Sequence, residues 1–380
     1  MNVETQQFIS ENFDKDVHQL ALQSKRFPIV DFPLAIRQIN GKQKTRSKIP
    51  RFFNNENILY PAQLSLEQSS SGTTAVYKST LCEGNVLVDL TGGFGVDCSF
   101  MSSHFQEVVY IERQKELCDL ARHNFQVLGE NHIEVINEQT EKYLSEMLPV
   151  DWIFIDPARR SSAGKKVVLL SDCEPNVSAL SKLLLEKASN VMIKLSPMMD
   201  ISAALRELPS TTEIHIIGVE NECKEILLIL SNKVQNELKV KTINFGKHKQ
   251  TQIFEFEIKQ EAAENSIFSS SLQKYLYEPN AAVMKSGAFK LMGNRFSLHK
   301  LHINTHLYTS DELHPDFPGR VFEVIKVWGN GKNEWKNEAK RLPKANISTR
   351  NYPNSVDELR KKLKINDGGD TFLFACTVSN

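Results

Sequence analysis

Asp89 closes the apolar run Val86-Leu87-Val88 and is followed at once by Leu90-Thr91-Gly92-Gly93-Phe94-Gly95-Val96-Asp97. A buried strand, a glycine-rich turn and a helix start, in that order, set a ligand at the carboxyl edge of a parallel sheet. Residue types narrow the ligand. A dinucleotide fingerprint needs a third glycine for close helix–strand packing, and Cys98 stands in its place. A Walker-type phosphate loop needs Gly-Lys-Ser/Thr, and no lysine follows these glycines. The Asp89 carboxylate repels a pyrophosphate and attracts a cation. Asp89, Thr91, Gly92, Gly93 and Gly95 are therefore a candidate site for a cationic ligand without phosphate. The alternative is a glycine-rich turn of some other α/β protein.

Later apolar runs end in further chemistry. Tyr110-Ile111-Glu112-Arg113 puts an acid at the spacing where a carboxylate meets ribose hydroxyls; a strand-end salt bridge is the alternative. Val135-Ile136-Asn137-Glu138-Gln139-Thr140 offers Gln139, whose amide oxygen can accept from an amino group, with Glu138 or the backbone as other readers. Ile155-Asp156-Pro157-Ala158-Arg159-Arg160 pairs a carboxylate with a prolyl carbonyl, and proline fixes φ while leaving that carbonyl available. Arg159 and Arg160 either stack on a base or hold a phosphate, or brace the loop through salt bridges. Met192-Ile193-Lys194-Leu195-Ser196-Pro197 ends a fifth run, with Lys194 expected to face the substrate.

These residues need a frame. Val86–Leu90, Val108–Ile111, Ile133–Ile136, Trp152–Ile155 and Val191–Ile193 alternate with helix-length segments, which predicts a doubly wound parallel sheet. Ile214–Val219 and Ile226–Leu230 are joined only by Glu220 to Glu225. That link is too short for a parallel crossover, so the two runs form an antiparallel hairpin. Before the first strand, Ser71 or Thr73 can cap a short helix running to Lys78. A plain linker is one reading of this segment.

The whole chain has 380 residues, 46 Lys and Arg against 46 Asp and Glu, and six scattered cysteines without a C-x-x-C pair. Its length implies two to three domains. Zero net charge excludes a uniformly basic coat, though not local patches. No apolar run approaches the ~20 residues of a membrane span, and the polar N-terminus lacks a signal peptide's regions. The thiols read as reduced packing residues rather than a zinc site. A cytoplasmic protein with no membrane and no metal is expected. Lys25 to Arg51 is basic and carries Phe27 and Phe32, with Phe52 and Phe53 just beyond. Such a run either grips and stacks nucleic acid or is a solvated helical face over core phenylalanines. Lys259 to Ser271 reads as a linker. Beyond it, Tyr275 to Asn280, Val283 to Phe289 and Val321 to Val327 suggest a small α+β module, followed by a basic helix at Val356 to Leu363 and a strand at Phe372–Ala375.

Asp89-Leu-Thr-Gly-Gly-Phe-Gly-Val-Asp97, Ile155-Asp-Pro-Ala-Arg-Arg160, Lys194-Leu-Ser-Pro-Met198, Asn221-Glu-Cys-Lys-Glu225 and Glu67-Gln68-Ser-Ser together resemble a group of bacterial class I S-adenosylmethionine-dependent methyltransferases with a C-terminal THUMP-like domain, related to the RNA cap guanine-N2 methyltransferases. The cofactor carries an ammonium and a sulfonium and no phosphate, which suits Asp89. The resemblance implies a Rossmann-like α/β sheet with an antiparallel terminal hairpin, an N-terminal helical segment and small C-terminal α+β domains. It divides the chain into 1–65 (helical), 66–258 (methyltransferase), 272–327 (ferredoxin-like) and 328–380 (THUMP-like). It implies that Asp89, Thr91, Gly92, Gly93, Gly95, Glu112, Arg113 and Gln139 hold S-adenosylmethionine. Gln68, Ser70 and Thr73, ahead of the first strand, would lie against it rather than in a plain linker. Asp156 and Pro157 would be catalytic, and Arg159, Arg160 and Lys194 would contact the substrate. Relatives of this group imply RNA, tRNA or rRNA, as partner and guanine N2 as acceptor. Two departures stand out: Ala158 replaces the aromatic that usually stacks the base, and Gln139 replaces the usual aspartate. Attack on a pyrimidine C5 would need a Pro-Cys nucleophile, which is missing. Two alternatives remain at this point: a protein or small-molecule methyltransferase, and a non-enzymatic RNA-binding scaffold.

Overall fold

The computed structural model describes residues 1–159, 170–232, 237–247, 250–329 and 331–378, the side chains of Arg159, Lys332 and Asn333 excepted. It forms two compact units, Met1–Glu213 with Ile226–Gln235, and Ile214–Glu225 with Asn236–Asn380.

The first unit begins with helices Val3–Asn12, Val17–Ala21 and Phe32–Lys48. Asn2, Asp16 and Asp31 cap them, each side chain accepting an N–H of the first turn. Phe8, Leu20, Phe32, Ala35 and Ile39 make their core. The Phe8 ring lies 5.0 Å from both Phe27 and Phe32, and Phe52 packs on Phe94 at 5.2 Å. The basic run is largely spoken for. Arg37 pairs with Glu116 at 2.7 Å, Lys44 with Glu67 at 2.6 Å, Arg46 with Asp14 at 2.8 Å and Arg51 with Glu130 at 2.5 Å. Lys48 donates to the carbonyls of Leu66 and Glu67. Phe32 and Phe52 are core residues, whereas Phe27 stays 38% exposed.

The strands follow: β1 (Gly84–Asp89), β2 (Phe105–Ile111), β3 (Ile133–Ile136), β4 (Val150–Ile155), the short antiparallel pair β5 (Ala158–Arg159) and β6 (Cys173–Glu174), then β7 (Ala188–Leu195), β8 (Thr211–Val219) and β9 (Glu222–Ser231). Within the first unit the sheet order is β9-β7-β4-β1-β2-β3. Neighbours are parallel except β7 and β9. Helices on both faces make the central strands apolar throughout: Leu87, Val88, Ile153, Phe154, Val191 and Ile193 are all buried. From β1 the chain runs outward through β2 and β3, then returns to β4 on the other side of β1. That reversal opens a crevice beyond the carboxyl ends of β1 and β4, where ligands bind in open α/β sheets.

In the second unit Glu220 and Asn221, with φ of 50° and 64°, form the two-residue turn from β8 into β9. Then come β10 (Lys239–Phe245) and β11 (Thr251–Glu257), paired antiparallel. Next, β12 (Tyr275–Pro279), β13 (His299–Lys300), β14 (Tyr308–Ser310) and β15 (Gly319–Glu323) make a four-stranded sheet of order β13-β14-β12-β15. Last, β16 (Asn346–Arg350) and β17 (Phe372–Cys376) pair in parallel.

Side-chain amides tie these pieces together. Asn244 accepts the Asn221 N–H at 3.0 Å, Asn221 accepts that of Ala281 at 2.8 Å, and Gln252 donates to the Gly319 carbonyl at 2.8 Å. Glu278, buried on β12, pairs with both Arg320 and Arg350 at 2.5 Å.

Two expectations change. The segment after Ile258 is no plain linker. Glu257 and Gln260 build a capping box that starts a helix over Ile258–Ala263. Glu261 on that helix then accepts the N–H groups of Lys290 and Leu291 at 3.0 and 2.8 Å, satisfying the start of the Phe289–Arg295 helix. The run Val321 to Val327 stops being a strand at Glu323, where pairing with β12 ends. Among the described residues no helix is long and apolar enough to cross a membrane.

Candidate active site

The glycine loop is shaped by close approach. A Cβ at Gly92 would lie 2.0 Å from the Tyr110 ring, and the Tyr110 hydroxyl donates to the Gly93 carbonyl at 2.6 Å. Gly93 and Gly95 adopt φ of 55° and 82°, where a Cβ is strained. Glu112, buried at the end of β2, accepts from Gly93 N–H at 3.1 Å and from Gln114 N–H at 2.8 Å. That uses two of the roughly four lone-pair positions of a carboxylate, leaving acceptors for hydroxyl groups. A Cβ on Gly93 would meet only the Thr91 carbonyl, at 3.8 Å. With lone pairs of Glu112 left over beside the glycine loop, these residues fit an adenosyl cofactor.

Asp89 is 1% exposed and accepts the Thr91 N–H at 3.0 Å. Burial pushes its carboxyl well above the usual range. The Thr91 bond works downward, the Asp97 and Asp156 charges work upward, and Lys194 opposes them. Beside it lies a buried cluster. Asp97 is flanked by Lys78 and Lys194, both at 3.2 Å, and accepts the Ser70 hydroxyl at 2.7 Å. Burial alone would raise this carboxyl, but Lys78, Lys194 and Ser70 outweigh it and bring it down to about 2. Lys194 also pairs with Asp156 at 2.5 Å. The Asp156 backbone N–H donates to the Thr91 hydroxyl at 2.7 Å, and a third of the Asp156 side chain is open to solvent.

The switch point thus gathers Asp89, Thr91, Gly92, Gly93, Gly95 and Glu112 with Asp156 and Pro157 at the end of β4. Gln139 is exposed at the start of the Thr140–Glu146 helix. That helix is anchored nearby, because Thr140 donates to the Leu90 carbonyl at 2.7 Å. Arg113 reaches outward to an exposed pair with Glu174 at 2.7 Å. Lys194, expected to face a substrate, instead sits inside the buried cluster with Ser70. Gln68 and Thr73 are exposed. The Arg159 side chain and all of Arg160 lie outside the described residues. Lys78 and Asp97 were not singled out as site residues in the sequence, although Asp97 ends the loop motif. Ser70 and Thr74 are near Lys78 in the chain, but Lys194 reaches Asp97 from 97 positions away, and nothing in a local pattern marks a lysine as buried.

Two family models match the C-terminal part: a ferredoxin-like domain over residues 275–318 and a THUMP domain-like family over residues 319–380. Two Mycobacterium tuberculosis proteins (strains CDC 1551 / Oshkosh and ATCC 25618 / H37Rv), each described only as an uncharacterized S-adenosylmethionine-dependent methyltransferase, are 22% identical over 306 residues. The match covers 79% of this chain and 79% of theirs. A crystal structure from Porphyromonas gingivalis W83, of a protein assigned as a methyltransferase, is 33% identical with a TM-score of 0.88. That likeness covers 99% of this chain and 94% of the other. With the switch-point site and the matched C-terminal modules, these likenesses fix the family: the chain belongs to the class I S-adenosylmethionine-dependent methyltransferases that carry a THUMP-like C-terminal domain.

Proposed function

We propose that this methyltransferase modifies an exocyclic base nitrogen, guanine N2 in first place, of tRNA or rRNA in the cytoplasm. Glu112 holds the ribose hydroxyls of S-adenosylmethionine, and the loop from Asp89 to Gly95, with Arg113 and Gln139, completes its site. When bound, the cofactor supplies a methyl group on a sulfonium. An exocyclic amine is a poor nucleophile because its lone pair is delocalised into the ring. The Asp156 carboxylate and the Pro157 carbonyl accept its N–H bonds, favouring a pyramidal nitrogen whose lone pair is aimed outward. Placing reactants in line lowers much of the remaining barrier.

The observation that carries this reading is the anchoring of Asp156. Its N–H is bonded to Thr91 of the glycine loop and its carboxylate is paired with Lys194. Support for RNA comes from the C-terminal module, where Lys340, Lys344, Lys361, Lys362 and Lys364 are exposed. Such cations grip phosphates. The test is transfer of labelled methyl from S-adenosylmethionine to total tRNA and rRNA from a strain lacking the protein, with Asp156→Ala as control. Mass spectrometry of nucleosides then identifies the base.

One observation favours a second reading, a protein or small-molecule acceptor. The N-terminal cations Arg37, Lys44, Arg46 and Arg51 are all ion-paired within the fold. That acceptor class predicts no salt-dependent RNA affinity.

A further inference from the structure

An ammonium group has three N–H donors and no acceptor. Among the described residues Lys194 has at least three acceptors: Asp156 Oδ2 at 2.5 Å, Ser70 Oγ at 3.1 Å and Asp97 Oδ2 at 3.2 Å. Nothing is left to offer a substrate. The hydroxyl of Ser70 is used in full as well. It donates to Asp97 at 2.7 Å and stands 3.1 and 3.2 Å from the donors Lys194 and Lys78, matching one O–H and two lone pairs. Lys78 is completely buried and lies 3.2 Å from the second oxygen of Asp97. Two cations and two carboxylates alternate from Lys78 through Asp97 and Lys194 to Asp156, and only the last is open to solvent.

Buried charge of this kind is a poor way to stabilise a fold, because desolvation offsets most of the attraction. Its geometry is nevertheless rigid. A free lysine side chain has many rotamers, and this one is pinned by ligands from three elements: Ser70 before the Gly72–Ser79 helix, Asp97 on the Val96–Met101 helix and Asp156 after β4.

We propose that Lys194 is a positioning residue that fixes the Asp156 carboxylate at the acceptor side of the crevice, with Ser70, Asp97 and Lys78 as its rigid backing. One carboxylate oxygen is committed to Lys194, and the other is left to receive a single N–H of the acceptor. Lys194 acts through Asp156 and never touches the substrate. This rests on the reading that Asp156 receives the acceptor amine.

The test uses the full chain as wild type, Lys194→Met, Lys194→Arg, Lys78→Met and Asp156→Ala. Calorimetry with S-adenosylmethionine first checks that each variant folds and binds cofactor. Transfer to total RNA from a strain lacking the protein is then resolved into kcat and KM. Lys194→Met is expected to lose about 100-fold in kcat, the scale of a misplaced reacting group, with KM for RNA unchanged. Lys194→Arg recovers most of that loss, and Lys78→Met moves kcat the same way by less. A raised KM with kcat intact would make Lys194 a substrate contact and overturn the proposal.

A crystal structure of Lys194→Met supplies a readout that needs no acceptor. Displacement of the Asp156 carboxylate supports the proposal, and an unmoved carboxylate refutes it even if no RNA is methylated. Full activity of Asp156→Ala would instead sink the assignment of Asp156 while the structural readout still judges Lys194.

Discussion

The backbone N–H of Asp156 donates to the hydroxyl of Thr91 at 2.7 Å. The loop after β4 therefore hangs from the loop after β1, across the point where strand order reverses. The glycine loop and the Asp156 loop are held as one piece. Removing that hydroxyl by Thr91→Val takes away the partner of the part-buried Asp156 N–H, a loss of about 1 kcal/mol. The expected outcome is a lower thermal midpoint and a fall in kcat, with cofactor affinity less affected. Thermal unfolding, calorimetry and single-turnover transfer separate the three effects.

Gly92 has no room for a side chain. An alanine Cβ would sit 2.0 Å from the Tyr110 ring, so either the ring or the loop must move. Overpacking of this sort costs about 1–3 kcal/mol. Gly92→Ala is expected to weaken S-adenosylmethionine binding markedly while the chain stays folded. Calorimetry alongside circular dichroism checks it, and unchanged affinity would mean that the loop does not hold the cofactor.

Glu112 serves the loop and, in the proposed function, the cofactor ribose. Glu112→Ala removes the acceptor of the Gly93 N–H together with the acceptors for the hydroxyls. A charged hydrogen bond is worth about 1.5–3 kcal/mol, so the affinity for S-adenosylmethionine should drop by roughly 10- to 100-fold. Deoxyadenosyl analogues lacking a ribose hydroxyl should lose affinity on wild type and little more on the variant.

The two buried aspartates pull stability in opposite directions with pH. Against the upward pull of burial, Lys78, Lys194 and Ser70 hold Asp97 down at about 2, which stabilises the fold where the carboxylate is ionised. That contribution is present above pH 4 and disappears as pH falls toward 2. Asp89 is raised, so its contribution is present below its ordinary range and is lost as pH rises through its folded value. Cofactor-free Asp97→Asn should therefore lie furthest below wild type at neutral pH and converge with it in acid. Asp89→Asn should gain on wild type as pH increases. Thermal midpoints measured across pH 2.5 to 8 test both, and parallel curves would contradict the assignment.

Much of the frame was legible because it is written locally. The apolar runs Val86–Leu90, Val108–Ile111, Ile133–Ile136, Trp152–Ile155 and Val191–Ile193 fall on the parallel strands, although β1 closes one residue earlier, at Asp89, and β7 runs on to Leu195; the six-residue link at Glu220 could only be a hairpin. The glycine loop and Glu112 were visible for the same reason. The Lys78–Asp97–Lys194 cluster was not, since Asp97 and Lys194 are separated by 97 positions and meet only through the sheet. Glu- and Ser-rich composition concealed the helix at Ile258–Ala263, which depends on its capping box and on what Glu261 holds. The basic run near the N-terminus left two readings open, a nucleic-acid grip or a solvated helical face, because its acidic partners Glu67, Glu116 and Glu130 come from later segments.

β15 has a consequence for dissecting the gene. Gly319–Glu323 begins the stretch matched as THUMP domain-like, yet it is the edge strand beside β12, paired from Gly319 with Pro279 to Glu323 with Tyr275. A stop codon at the family boundary would strip β12 of that neighbour and leave Glu278 without Arg320 or Arg350. The bared backbone would then recruit foreign strands, so a fragment ending at Pro318 is expected to precipitate, and any workable excision must keep both modules on one polypeptide.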